Sequence, residues 1–340
     1  MTIRINMLSK ADSVPGQGVA SAYLEQTGLV NSLNDFEIEI NSRKNNFDIF
    51  HIHSVNLRYR LRMNKKHTNI VYVHFIPKDN EGSLCLPKPL RFIFDKYVNS
   101  FYRAADELVV VNPYFIKSLE ELGIPKDRIT YIPNYVDGTN FYPLKQDEIN
   151  SLKKEYGVPL DKFVVLGCGQ IQTRKGFDDF VEVAKSNPNL FFTWVGGFSF
   201  GRITDGYRKY KKMLKELPKN MIHIDIVPRN KMNEIFNLSD VLFMPSFLEL
   251  FPMSILEAAQ VEKPILLRDL ELYHPILFNK YIYGKNVDEF GKELRRLSND
   301  KEYYKLYQNK AIEINKLYSK EKLSIEWRKY YQRIYEKYHD

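Results

Sequence analysis

Short apolar runs alternate with stretches of helical spacing along almost the whole chain, and no other feature constrains the fold as strongly. One series of runs lies at 3–8, 36–40, 47–53, 69–75, 107–112 and 129–134, and a second at 163–169, 191–195, 222–227, 241–244 and 264–267. The runs at 47–53 and 69–75 have the apolar character of strands covered on both faces. Helical spacing follows at 20–31, 113–122, from 177, and at 207–216, 231–238 and 252–260. Strand and helix in turn predict an α/β fold built on doubly wound parallel sheets. A length of 340 residues accommodates two domains, each with its own core. The boundary is placed just after the string NYVDGTNFYP, giving domains 1–143 and 144–320, followed by an amphipathic helix 321–340 that spaces Trp327, Tyr331 and Tyr335 at four.

Within the second series one stretch concentrates the chemistry, FMPSFLELFPMSILEAA at 243–259. Pro245 and Ser246 break its strand, and Pro252 stands where a first helical residue belongs. The turn through Leu250 and Phe251 leads into a helix whose first amides, at Met253 and Ser254, have no partner within the helix and carry the positive end of its dipole. Side chains on a helix lean toward its N-terminus, so Glu257 points back to the mouth that Glu249 borders. Two carboxylates beside an anion-binding turn do not serve phosphate. Hydroxyl groups are their natural partners, and a ligand with both groups, such as a nucleotide sugar, fits. A capping contact plus a solvated helix position is the plainer explanation of the pair.

Other motifs gather at strand ends. The first strand leads through SKADSVPGQGV, with Gly16 and Gly18, into a helix, but the third glycine of a dinucleotide fingerprint is missing. Gly167 and Gly169 fail the same test, and no acid ends the next strand, which excludes a nicotinamide site. The loop QIQTRKG instead sets Arg174 and Lys175 at the mouth of the helix from 177, adding to its positive potential as a diphosphate leaving group requires. His74 closes the run IVYVH at the carboxyl edge, where open α/β sheets bind ligands, whereas His51 and His53 read as structural. The segment NLRYRLRMNKK at 56–66 holds Arg58, Arg60, Arg62, Lys65 and Lys66 and no acid. It is either a solvated face or a contact with anionic lipid, where each basic residue contributes roughly 1 kcal/mol. Lys88, Arg91 and Lys96 follow in a helix rich in Phe and Tyr, residues that suit a membrane interface or a domain core equally.

Glu249, seven residues and Glu257, followed by Ala258 and Ala259, resemble the paired-glutamate motif of the retaining GT-B glycosyltransferases of family 4. The resemblance covers nearly the whole chain. It implies two Rossmann-like domains facing a cleft, with the last helix returned to the N-terminal domain. It places Glu249 at the donor sugar, Glu257 at the nucleotide ribose, His74 near the transferred sugar, and Gly16, Gly18, Gly196 and Gly197 at the donor. The resemblance puts Val227 to Arg229 where the base is usually held, by stacking and backbone contacts. The family usually has Arg where this chain has Gln170, with Lys at Lys175, a departure that Arg174 can compensate. Strings such as PGQGVASAYLEQ and GFSFGRITDGY are similar to the Gram-positive glycolipid synthases that extend monoglucosyldiacylglycerol. Those imply a UDP-glucose or UDP-galactose donor, a glycolipid acceptor and an anionic membrane surface, with no nucleic acid and no essential metal or other cofactor.

The formal charge of +8 agrees with an anionic partner. Apolar runs of strand length only, and an N-terminus without an apolar signal core, lead us to expect a cytoplasmic protein peripheral on the inner face of the membrane. Cys85 and Cys168 are too few for a disulfide framework and have no zinc spacing. Two alternatives stay open: a transferase with a soluble polysaccharide or glycoprotein acceptor, and an inactive nucleotide-sugar or membrane binding module.

Overall fold

The computed structural model describes residues 2–10, 18–76 and 87–339. Among the described residues twelve strands form two sheets of six, all parallel. The first contains β1 (Ile3–Leu8), β2 (Phe36–Ile40), β3 (Ile49–Ile52), β4 (Thr68–Val73), β5 (Glu107–Val110) and β6 (Ile129–Tyr131) in the order β2-β1-β3-β4-β5-β6. The second contains β7 (Val164–Cys168), β8 (Phe191–Val195), β9 (Met221–Ile224), β10 (Val241–Met244), β11 (Ile265–Arg268) and β12 (Ile282–Gly284) in the order β12-β11-β10-β7-β8-β9. β3, β4, β5, β8, β10 and β11 are buried along their full length, which is why they read as continuous apolar runs.

Several elements are shorter than expected, for identifiable reasons. The run 129–134 pairs only as far as Tyr131, because Asn134 is spent across the molecule: its Nδ2 donates to Phe251 O at 3.0 Å and its Oδ1 accepts from the Tyr72 hydroxyl at 3.2 Å. The run 107–112 stops at Val110 because Asn112 caps the following 3-10 turn and donates to Leu250 O and Leu272 O, both at 2.8 Å. These two asparagines bind the edge of the first sheet to the turn that opens helix Met253–Gln260 in the second. Pro252 is the residue before that helix rather than its first. β12 and the charged helices Gln146–Glu155, Val287–Asn299 and Lys301–Leu317 complete the second half.

Helix Lys320–His339 crosses back to the first half. Trp327 packs its ring 5.6 Å from His51 and 5.8 Å from Tyr72, and Arg328 and Lys337 pair with Asp35 and Glu107 at 2.6 and 2.7 Å. The buried Tyr331 hydroxyl accepts from Gln26 Nε2 at 2.8 Å and shares a hydrogen bond with His51 Nδ1 at 2.6 Å. Tyr331→Phe removes one atom and leaves two buried polar groups without a partner. The variant loses about 1–3 kcal/mol of stability, read as a lower midpoint in denaturant unfolding.

Candidate active site

The two sheets face each other across a cleft of about 900 Å3, lined by residues from the carboxyl ends of both. From the second half come Gln170, Arg174, Lys175, Gly196, Val227, Leu250, Phe251, Met253, Ser254, Glu249 and Glu257, and from the first Gly18, His53, Tyr72 and His74. All of these but His53 and Tyr72 are site residues that the sequence pattern or the resemblance points to. Gly197 is not part of this lining; a side chain there would collide with Asp225. Gly16 lies outside the described residues. Gly18 opens helix Gly18–Asn31 with free space where a Cβ would stand, so nothing among the described residues requires glycine there. Gly196 is different. Its φ of +115° suits glycine alone, and a Cβ on it would run into the Gly169 carbonyl, which leaves room for no other residue.

Glu249 is the electrostatic centre of one wall. Its carboxylate accepts from Lys175 Nζ at 2.5 Å and lies 3.8 Å from Arg174 Nη1, while Arg174 also donates to Leu248 O at 2.8 Å. Burial alone would raise the Glu249 carboxyl, but the two cations outweigh it and hold it below the ordinary value, so it is ionised at neutral pH. Burial presses the Lys175 ammonium down, against the pull of Glu249. Arg174 and Lys175 sit in a 3-10 turn that ends at Gly176, whose φ of +69° and contact with Pro245 O let the turn lie flat on the end of β10. The helix Phe177–Ser186 behind them is not a free anion site. Its first turn carries Asp178, which accepts from Tyr210 at 2.6 Å and pairs with Lys209 at 2.5 Å, and Asp179, which pairs with Arg268. Those two acids are balanced by Lys209 and Arg268. Attraction for an anion rests on Lys175, Arg174 and the start of helix Met253–Gln260.

Glu257 has a partner that the sequence did not announce. Arg229 donates to Glu257 Oε1 at 2.8 Å and to Glu25 Oε1, in the first half, at 2.5 Å. Burial raises the Glu257 carboxyl, and Arg229 offsets this only in part. The missed signal was Glu25 itself, an acid that helical spacing places with Ala22 and Leu29 on a buried face, where a charge requires a partner.

His74 is held by its neighbours: Nε2 lies 3.4 Å from His53 Nδ1 and the ring stands edge-on to Tyr72 at 4.7 Å. Burial lowers His74 to about 3, so the imidazole is neutral. His53, expected to be structural, lines the cleft beside it. The Cys168 thiol also faces the cleft, and burial pushes its pKa up, so it is a poor nucleophile.

The basic segment lies away from the cleft. Only Leu57–Arg60 is helical, with Asn56 Oδ1 accepting from Arg58 N at 2.9 Å. Arg62 does not belong to the expected lipid contact: its guanidinium donates to Ser42 O at 2.7 Å and Lys44 O at 2.9 Å and lies 4.7 Å from the centre of the Phe50 ring. Arg58, Lys65 and Lys66 point to solvent, next to exposed Leu57 and Leu61. Helix Lys88–Arg103 adds exposed Leu90, Phe92 and Ile93. No helix among the described residues is long and apolar enough to cross a membrane.

Comparison with known proteins agrees with this geometry. The model for glycosyltransferase family 4 matches residues 24–139 and that for glycosyl transferases group 1 matches residues 148–314. The alpha-galactosylglucosyldiacylglycerol synthase of Streptococcus pneumoniae is 41% identical over 97% of this chain and 90% of its own. The processive diacylglycerol alpha-glucosyltransferase of Acholeplasma laidlawii is 28% identical over 79% of this chain and 82% of its own. Sucrose-phosphate synthase from Thermosynechococcus elongatus, at 13% identity, superposes with a TM-score of 0.79 over 98% of this chain and 99% of its own. With both halves matched, a relative of this identity along nearly its full length and paired parallel sheets closing on one cleft, the chain belongs to the family 4, group 1 glycosyltransferases of GT-B fold.

Proposed function

We propose that this glycosyltransferase moves a hexose from a UDP-sugar to the glucose of a glucosyldiacylglycerol in the membrane, with retention of configuration. The observation that carries the reading is the arrangement of Lys175, Arg174, Glu249 and Glu257 around one helix start, directly across the cleft from His74. A nucleoside diphosphate needs cations and amides, a ribose needs a hydroxyl acceptor, and a sugar between them needs polar groups on both walls. The names of the two relatives support the lipid acceptor, and the greater identity to the galactolipid synthase makes galactose the first donor to test.

In this mechanism the sugar C1–O bond to the diphosphate breaks while the acceptor oxygen bonds to C1 on the same face. The acceptor proton passes to the departing phosphate oxygen. Lys175 and Arg174 stabilise the charge that develops there, together with the amides of Met253 and Ser254, so we assign the reaction no essential metal. Glu249 holds Lys175 in place and faces the sugar; Glu257 accepts from the ribose. The neutral His74 offers the sugar a hydrogen bond without adding charge. The exposed apolar residues Leu57, Leu61, Leu90, Phe92 and Ile93, with Arg58, Lys65 and Lys66, form the surface that rests on the cytoplasmic leaflet.

The deciding experiment measures UDP release from UDP-galactose and UDP-glucose with glucosyldiacylglycerol in vesicles, with soluble sugars, and with no acceptor. Release that depends on the glycolipid is expected. Equal release with soluble acceptors would replace the lipid reading, and binding of UDP without any release would identify an inactive binding module.

Lys175→Ala lowers kcat on the order of 100-fold with saturating donor, as loss of a preorganised charge does elsewhere; near wild-type turnover would remove Lys175 from the mechanism. Glu257→Gln instead acts mainly on donor KM, because ribose contacts are alike in ground and transition states. Glu249→Gln, nearer the reacting sugar, acts mainly on kcat, and steady-state kinetics that show the reverse partition between the two glutamates would mean their roles are exchanged.

A further inference from the structure

Beside the surface assigned to the membrane lies a second cavity, of about 650 Å3, walled by Arg60, Lys96, Asn99, Ser100 and Arg103 with the backbone at Ala104. Lys96, Asn99, Ser100 and Arg103 fall at i, i+3, i+4 and i+7 on helix Lys88–Arg103 and therefore share one face. Arg60 enters from the adjoining helical turn Leu57–Arg60, close enough for its charge to act on the Tyr97 phenol. Three cations thus meet in one concavity whose lining, among the described residues, contains no carboxylate. Two of them have a neighbour of their own. Arg103 donates Nε to Leu122 O at 2.7 Å, which anchors the guanidinium, and Lys96 Nζ lies 4.5 Å from the Phe92 ring centre.

We propose that this cavity binds the phosphate of an anionic lipid headgroup. Guanidinium groups fit phosphate oxygens in a fork, the lysine adds a point charge, and Asn99 and Ser100 supply neutral donors. Position favours the lipid over a free phosphate ester. The same helix face continues to exposed Phe92, with exposed Ile93 bordering it, and at 1.5 Å per residue the cavity centre lies roughly 10 Å from Phe92. An interfacial element buries its apolar residues about 5–10 Å into the headgroup and acyl boundary, so a phosphate bound here remains attached to a lipid whose chains meet Phe92. The site rests on the membrane reading above and deepens it: contact with the leaflet includes one stoichiometric lipid, not only a diffuse attraction between charges.

The test compares cosedimentation of the full chain with phosphatidylcholine vesicles, with and without phosphatidylglycerol, at low and high salt. Arg60→Gln/Lys96→Gln is set against Arg58→Gln/Lys66→Gln, which removes the same charge outside the cavity. The cavity variant should lose at least about tenfold more affinity than the control and keep that deficit at high salt, whereas screening erases the control's. Equal deficits would overturn the cavity and leave the membrane reading standing; wild-type protein that ignores phosphatidylglycerol would overturn that reading itself. Glycerol 1-phosphate, at matched ionic strength, should not raise the Tm of the wild type. A rise that Arg60→Gln/Lys96→Gln abolishes would show a site for free phosphate esters and overturn the lipid assignment. Unfolding midpoints of both variants equal to wild type exclude misfolding as the cause.

Discussion

Two carboxylates lie buried in the wall of the cleft, and neither is stable there without a cation. Glu249 and Glu257 are 5% and 4% exposed. An unpaired charge at such a depth is strongly destabilising, and removing one partner from a buried ion pair costs about 3–5 kcal/mol. Lys175, Arg174 and Arg229 are thus required by the fold before any ligand arrives. The same pairing prepares the site. Lys175, tied to Glu249, is already aimed into the cleft at the place where a diphosphate can share it, so little reorganisation is left for the moment when negative charge develops. Arg229 does the corresponding work at Glu257, and by reaching Glu25 it also spans the two halves.

Much of this was legible from the amino acids. Strands buried on both faces write themselves as apolar runs, so the paired α/β halves and the strand before Glu249 could be placed from pattern alone. The helix start at Met253 was legible from Pro252. What pattern could not give was pairing between distant residues. Arg229 is one of several cations in its region, and only folding brings it between Glu25 and Glu257. The helix at Phe177 stands where the pattern put it, and the two acids in its first turn, Asp178 and Asp179, pair with Lys209 and Arg268. His53 was discounted because a histidine within a strand is usually structural, and here the strand stops one residue earlier, at Ile52, leaving His53 on the rim.

The basic segment gives the same lesson within a few residues. Arg58, Arg60 and Arg62 are alike in sequence, yet one faces solvent, one enters a cavity and one is absorbed by backbone carbonyls and an aromatic ring. A single helical turn followed by a bend sends each of them in a different direction. Charge counting treats them as equal; hydrogen bonding separates them.

Residues 26, 51 and 331 meet in one buried contact, and the last is 280 positions beyond the second. Ribosomal synthesis is vectorial, so the first sheet emerges while the helix that completes it has not been made. The whole second half is threaded into the sequence between them. That half has every one of its strands in hand before the helix Lys320–His339 is made, and it can close first. The first half must wait with His51 and Gln26 unsatisfied until the helix carrying Tyr331 has been made, and the cleft it shares with its neighbour takes shape only then.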